Sequence, residues 1–277
     1  MHTRISWGDP CSHAWPKSEP FFIATLAIAK CDIRGLVSWK HRKLSDTLSS
    51  ITTQVSLDVT NLSYALDMAR AAARAGIDWL EAGTPLILSE GVRSVHALRK
   101  EFPNHVIVAD LKTMDAGGPE SEMMFDAGAT FVTVMSQAHW ATVKEAVDMA
   151  RKKGGKVMAD LLNASDKVQA AKQMQELGVD YLIAHLGYDE RRHVVGLSAL
   201  DNLEKIINTV EIPVQAVGGL SIDQAIESLR LGAKSIVVGA PLVIHADRHA
   251  SPQEIEAILR EVVNRVKELE DVSSLTS

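Results

Sequence analysis

Cysteine is nearly absent from this sequence. Its two copies, Cys11 and Cys31, fall in the first 31 residues. A disulfide between them would staple nothing downstream, and no metal-ligand cysteine spacing exists. Aromatic residues are scarce at 5%, and no cluster of Lys and Arg interrupts a net charge of −6. A nucleic-acid partner is therefore not expected, although a small anion can still find a local cationic pocket. Long apolar runs are missing too. "FFIATLAIA" at 21–29 falls short of the ~20 residues that cross a bilayer as a helix. Asp9, Glu19 and only scattered bases precede it, which argues against a secretory leader. No membrane partner is expected, and the cytoplasm is the default location. What the chain does have is length: 277 residues, 46% of them hydrophobic, suffice for one large core or two small ones.

Residues 1–52 hold three of the five Trp, three of the nine Pro and both Cys, without sustained periodicity. They are expected to form a poorly structured N-terminal extension, with the catalytic domain in 53–277. From about residue 54 an apolar-periodic helix, a glycine and a short apolar strand recur. "RAGIDWLEAG", "DAGATFVTVM", "ELGVDYLIAHLG" and "RLGAKSIVVGA" place Gly76, Gly128, Gly178 and Gly232 50 to 54 residues apart. Glycine there suits the left-handed residue that ends a helix. Four more strand candidates, at 54–59, 105–111, 155–162 and 212–219, bring the number to eight. Strands apolar on both faces that alternate with helices indicate a parallel sheet. Eight such units predict an α/β fold, a (β/α)8 TIM barrel. An open doubly wound sheet is the alternative, but no GxGxxG turn follows the first strand.

Barrel enzymes carry their chemistry at the carboxyl ends of the strands. Here those ends read Asp58, Glu81, Asp110 with Lys112, the neighbourhood of Thr133, Asp160 and His185, followed by Gly218-Gly219 and Gly239. A single acid at a strand end is commonly a helix cap or a solvated residue. Concentration on one rim is what points to chemistry. His185, facing carboxylates, becomes a proton carrier, whereas His139 is expected at a helix start. Asp110 and Lys112, two apart on a strand, both point into the mouth. Neighbouring carboxylates favour the ammonium form of Lys112, which is unsuited to a Schiff base and suited to steadying an oxyanion. Glu81 and Asp110, on adjacent strands, can hold Mg2+ through one oxygen each. Asp115, in the turn "MDAGG", either caps the next helix or reaches across a subunit boundary. The turns "AVGGLS" and "VVGAPL", with Ser221 opening a helix, offer backbone amides to a phosphate.

"SLDVTNLSYALDMA", "DWLEAGTPLILSEGVRSVHALRKEFP", "IVADLKTMDAGGPESEMMFDAGATFVTV" and "GVDYLIAHLGYDER" resemble the 3-hexulose-6-phosphate synthases. These belong to the orotidine-monophosphate decarboxylase superfamily, whose Asp-x-Lys-x-x-Asp motif corresponds to Asp110, Lys112 and Asp115. The resemblance covers about 54–268. It implies a Mg2+-dependent aldolase that adds formaldehyde to D-ribulose 5-phosphate through an enediolate, giving D-arabino-3-hexulose 6-phosphate. By the same resemblance Glu81 and Asp110 bind Mg2+, Lys112 stabilises the enediolate, and His185 moves the proton at the first carbon. Asp58 binds substrate hydroxyls, Asp160 supports the polar network, and Asp115 approaches the partner's site in a homodimer with shared active sites. Gly218, Gly219 and Gly239 receive the phosphate. Two other readings stand beside it: a 3-keto-L-gulonate 6-phosphate decarboxylase and a non-catalytic sugar-phosphate-binding barrel. Tyr188 stands where the decarboxylases tend to have arginine, which favours the synthase. Arg191 replaces a common glutamine, and Ala240 replaces a phosphate-binding arginine, so phosphate relies on amides or on a cation from elsewhere.

Overall fold

The computed structural model describes residues 51–240 and 251–276. The two cysteines, the apolar run at 21–29, nearly all of the expected extension and the Pro241-Leu242 part of the last turn lie outside the described residues. Helix α1 (Leu62–Ala75) shows how each repeat is punctuated. Asn61 opens it, its side-chain oxygen accepting from the Tyr64 amide at 2.9 Å. Ala65, Met68, Ala69, Ala72 and Ala75 are buried at helical spacing. Gly76 then ends it at φ +92°, and all four repeat glycines have φ between +88° and +105°, as expected.

Eight strands follow this rhythm: β1 (Thr52–Leu57), β2 (Trp79–Ala82), β3 (Val106–Thr113), β4 (Phe131–Met135), β5 (Lys156–Asp160), β6 (Tyr181–His185), β7 (Val214–Val217) and β8 (Ser235–Ala240). They pair in chain order, all parallel, and β8 closes on β1. The fold is a (β/α)8 barrel, and closure rules out the open sheet. Because β1 starts at Thr52, it claims the last residue of the expected extension. After α1 come α2 (Thr84–Glu90), α3 (Arg93–Glu101), α4 (Gly117–Asp126), α5 (Trp140–Lys153), α6 (Lys167–Leu177), α7 (Tyr188–His193), α8 (Leu203–Ile207), α9 (Ile222–Arg230) and α10 (Pro252–Thr276). His139 caps α5, its Nδ1 accepting from the Ala141 amide at 3.2 Å. None of the described helices is long and apolar enough to cross a membrane.

Strand alternation sorts the side chains into two cores. Leu80, Ile107, Val132, Val157, Leu182 and Ala216 point outward and pack under the helices, each fully buried, at about 1.5–3 kcal/mol for each large side chain. The intervening residues Trp79, Val108, Phe131, Met158, Tyr181 and Ile183 plug the barrel interior. Trp79 stacks on Phe131 at 5.0 Å, and Tyr181 sets its edge against both. The next inward positions toward the carboxyl end are Glu81, Asp110, Thr133, Asp160 and His185. A dry aromatic floor therefore supports a polar rim.

Candidate active site

The rim is organised around Asp110, buried to 7% side-chain exposure. Its Oδ1 accepts from Thr133 Oγ1 at 2.8 Å and its Oδ2 from Thr84 Oγ1 at 2.6 Å. The Lys112 ammonium forms a close ion pair with the same Oδ2. Simple alternation along β3 does not bring these two together. Lys112 sits at φ +50°, and four steps along β3, Ala109 to Thr113, face only two on β4, Val132 to Val134. This bulge is held by the Lys112 amide donating to Thr133 Oγ1 at 2.9 Å. It folds the lysine back over its own strand, so the convergence arises from a break in alternation. Burial opposes the charge of Lys112, yet Asp110, Asp160 and Glu81 together raise its pKa above the ordinary lysine value. Burial likewise opposes the Asp110 carboxylate, but the Lys112 charge and the bonds from Lys112, Thr84 and Thr133 hold its pKa below the usual range.

Glu81 is the opposite case. Burial pushes its pKa well above the carboxylate range, and the charges of Asp110 and Asp58 push it the same way. Its Oε1 accepts from Ser56 Oγ at 2.9 Å, and its Oε2 takes a short bond from Gln54 Nε2. Gln54 is held in turn by Gln215 Nε2 at 3.0 Å, a polar chain crossing the barrel from β7 to β2. Asp58 lies just past β1, open to solvent on one side. Desolvation of the remainder and the Asp110 charge raise its pKa. A Cβ on Gly83 would stand 2.3 Å from Asp58 Oδ1 and 2.9 Å from the Leu57 carbonyl, so the glycine of "EAGTPL" makes room for this acid.

Among the described residues, no group of three or more His, Cys, Asp or Glu side chains converges as a metal cage. Glu81 and Asp110 nevertheless supply only hard oxygen donors. Asp58, Glu81 and Asp110 crowd one ammonium, and the mutual repulsion that helps to raise the pKa of Asp58 and Glu81 is what a cation would relieve. Mg2+ commonly takes one or two carboxylates and completes its shell with water and substrate oxygens. The donor set fits that ion.

His185 ends β6 with Nδ1 2.8 Å from Asp160 Oδ2. Asp160 is buried, and its other oxygen accepts from the Leu162 amide at 2.8 Å. The carboxylate expected to support the polar network is thus engaged by the histidine ring, whose orientation it fixes through Nδ1, so that Nε2 is not the nitrogen it holds. Lys167 Nζ donates to the His185 carbonyl at 2.6 Å, tying α6 to the same strand end. Asp115 does not cap α4: Ala116 is the capping residue, and no side chain caps the helix start. Asp115 is exposed and has no hydrogen bond or ion pair among the described residues.

The glycines divide. Gly218 and Gly219 form a turn after β7 at φ +133° and +67°. Gly239 instead belongs to β8, paired with Ser56, and a Cβ on it would meet Asp58 Oδ2 at 3.6 Å. It widens the mouth beside Asp58 and is not a turn residue. Thr84, Gln54, Ser56 and Lys167 are the site neighbours that sequence reasoning passed over. Only Thr84 had a signal, in its place directly after "EAG" at the end of β2.

A closed parallel barrel with an acid, ammonium and imidazole rim at its carboxyl end defines a barrel enzyme of proton and carbon chemistry. The pattern of the Orotidine 5'-phosphate decarboxylase / HUMPS family matches residues 52–255, and the chain belongs to that family. A 3-hexulose-6-phosphate synthase of Bacillus subtilis (strain 168) is 33% identical over 74% of this chain and 97% of its own length. A crystal structure of 3-hexulose-6-phosphate synthase superposes with TM-score 0.69 at 32% identity, over 76% of this chain and 99% of that one. A 3-keto-L-gulonate-6-phosphate decarboxylase of Vibrio cholerae O1 biovar El Tor str. N16961 superposes with TM-score 0.62 at 31% identity, over 78% and 98%.

Proposed function

We propose that this chain is a Mg2+-assisted aldolase joining formaldehyde to D-ribulose 5-phosphate, reversibly, to give D-arabino-3-hexulose 6-phosphate. The observation that carries the reading is the Lys112–Asp110 ion pair on the same rim as the His185–Asp160 pair, in a barrel similar to the synthases. In this reading His185 Nε2 takes a proton from the first carbon of the ketose, with Asp160 holding the ring. The electron pair moves into the bond to the second carbon and onto its oxygen, where the charge of Lys112 lowers the barrier. The first carbon then attacks the carbon of formaldehyde. One carbon–carbon bond forms, the ketone at the second carbon returns, and the new alkoxide takes the proton carried by His185. Asp58 orients substrate hydroxyls. Mg2+ held by Glu81 and Asp110 would supply further positive charge to the substrate oxygens.

Formaldehyde should disappear when the protein meets ribulose 5-phosphate and Mg2+. No loss from a folded sample rejects the synthase reading. The likeness to the decarboxylase supports a second reading, favoured if carbon dioxide leaves 3-keto-L-gulonate 6-phosphate faster than formaldehyde is consumed. Sugar-phosphate binding with neither turnover would mark a non-catalytic barrel. Asp160→Asn should slow exchange of the first-carbon proton with deuterated water by about 10²–10⁴, the share a positioned proton carrier contributes. An unchanged exchange rate would remove Asp160 from its role. Tyr188, exposed and accepting from Arg192 at 2.7 Å, should tolerate Tyr188→Phe with far smaller loss.

A homodimer with shared active sites accords with Asp115. The acid is exposed beside Met114, 53% exposed, and just before α4. Gly117 of that helix packs so closely on α5 that a Cβ would lie 2.0 Å from the Thr142 carbonyl. Met123 and Trp140, on the same helix pair, are 53% and 61% exposed. Sedimentation would give the mass, and Asp115→Asn should lower turnover without loosening the dimer.

A further inference from the structure

Among the described residues, neither the turn after β7 (218–221) nor β8 itself brings a cationic side chain to the mouth. The residue after Gly239 is Ala240, and at the start of α9 two amides are already taken. Ser221 N–H donates to Gln224 Oε1 at 3.0 Å, and Gln224 N–H to Ser221 Oγ at 3.2 Å. Charge arrives from another direction. A Cβ built on Gly219 would stand 1.6 Å from Arg191 Nη1 and 2.3 Å from Arg191 Cζ. The guanidinium therefore lies against the turn, in the volume a side chain at 219 would occupy.

Arg191 belongs to α7, after β6, and its amide donates to the Gly187 carbonyl at 3.0 Å. Its guanidinium carbon is 5.6 Å from the centroid of the Tyr188 ring. Among the described residues its side chain has no carboxylate partner and donates no hydrogen bond. Arg192 next to it differs, donating to the Tyr188 hydroxyl. A planar fork of donors thus sits against a glycine turn at the rim, with no carboxylate partner among the described residues. We propose that Arg191 is the cation that binds the substrate's phosphate monoester, its fork taking two phosphate oxygens above Gly219. This rests on the sugar-phosphate reading above and adds to it a source of charge on the β6 side of the mouth. It also accounts for Gly219, since a methyl there would expel the guanidinium.

Calorimetric titration of the full chain with ribulose 5-phosphate tests this, with inorganic phosphate as competitor. Arg191→Gln should weaken binding by about 10–100-fold, the range of hydrogen bonds to charged groups, and should abolish competition by phosphate. It should raise KM far more than it lowers kcat. Gly219→Ala should act in the same direction with Arg191 still present, while Arg192→Gln should bind as the wild type does. Wild-type affinity in Arg191→Gln, or an equal loss in Arg192→Gln, overturns the proposal. If the wild type binds no sugar phosphate, the function proposed above falls with it; if the wild type binds and Arg191→Gln binds equally well, only this assignment falls. Because Arg191 is exposed, its variants are expected to keep the wild-type melting temperature, so a binding loss reads the contact itself.

Discussion

Lys112→Ala should bring formaldehyde consumption down by at least about 10²–10³, the cost of removing one preorganised donor from a developing oxyanion. The loss should appear in kcat, because the charge is needed most where the electron pair reaches the ketone oxygen. Stability should fall as well. Asp110 is 7% exposed and Lys112 28%, so truncation leaves a buried carboxylate without its counter-charge, a change that costs about 3–5 kcal/mol for fully buried pairs and less here. Combining it with Asp110→Asn separates the two effects. The double variant should regain much of the lost melting temperature, since no charge is left unpaired, and none of the turnover. Borohydride added during turnover should trap no adduct at Lys112, because acids on three sides hold the amine protonated. A reduced adduct, or a Lys112→Ala protein that keeps its kcat, would remove the cation from the centre of the reaction.

The rim was legible in the sequence because two periodicities fix it. Period-two alternation sets Glu81, Asp110, Asp160 and His185 inward, and the four repeat glycines mark where every second strand begins, so the carboxyl ends can be counted off. The backbone at Lys112 was not legible. A lysine at φ +50° violates the preference that makes glycine a signal, and a bulge leaves no mark in an apolar pattern. Alternation gave the right side of the barrel for the wrong reason. Gln54 and Ser56 read as ordinary strand polars; only the pairing of Ser56 with Glu81 shows that they hold an acid. Gly239 carries the same letter as Gly219 but sits in a strand, and composition cannot tell a turn from a widened mouth. Arg191 over Gly219 joins a residue of α7 to the turn after β7, a contact no local spacing encodes.

Melting temperature should fall as pH rises above the ordinary carboxylate range, and Mg2+ should reverse the fall. The cause is Glu81, whose pKa burial and the charges of Asp110 and Asp58 raise well above 4.5. Between its unfolded value and that raised value, the folded chain keeps a proton that the unfolded chain has lost. Unfolding then releases a proton, so stability declines with rising pH across the window and levels off above the folded pKa. Asp58, also raised, adds to the same slope. Asp110 acts oppositely: its lowered pKa contributes stability that is lost as pH falls below the ordinary range, outside this window. Mg2+ competes with the proton for the same oxygens, so its effect should grow with pH. At a hundredfold excess over its Kd it would add about 2.7 kcal/mol, several degrees at about 2–4 °C per kcal/mol in a domain near this size, and chelator should abolish the gain. Glu81→Gln should flatten the pH profile, remove the Mg2+ response and lose turnover together, separating an acid that destabilises the apoprotein from one that is merely structural. A wild-type melting curve indifferent to both pH and Mg2+ would reject Glu81 as a metal ligand, whatever the activity of the variant.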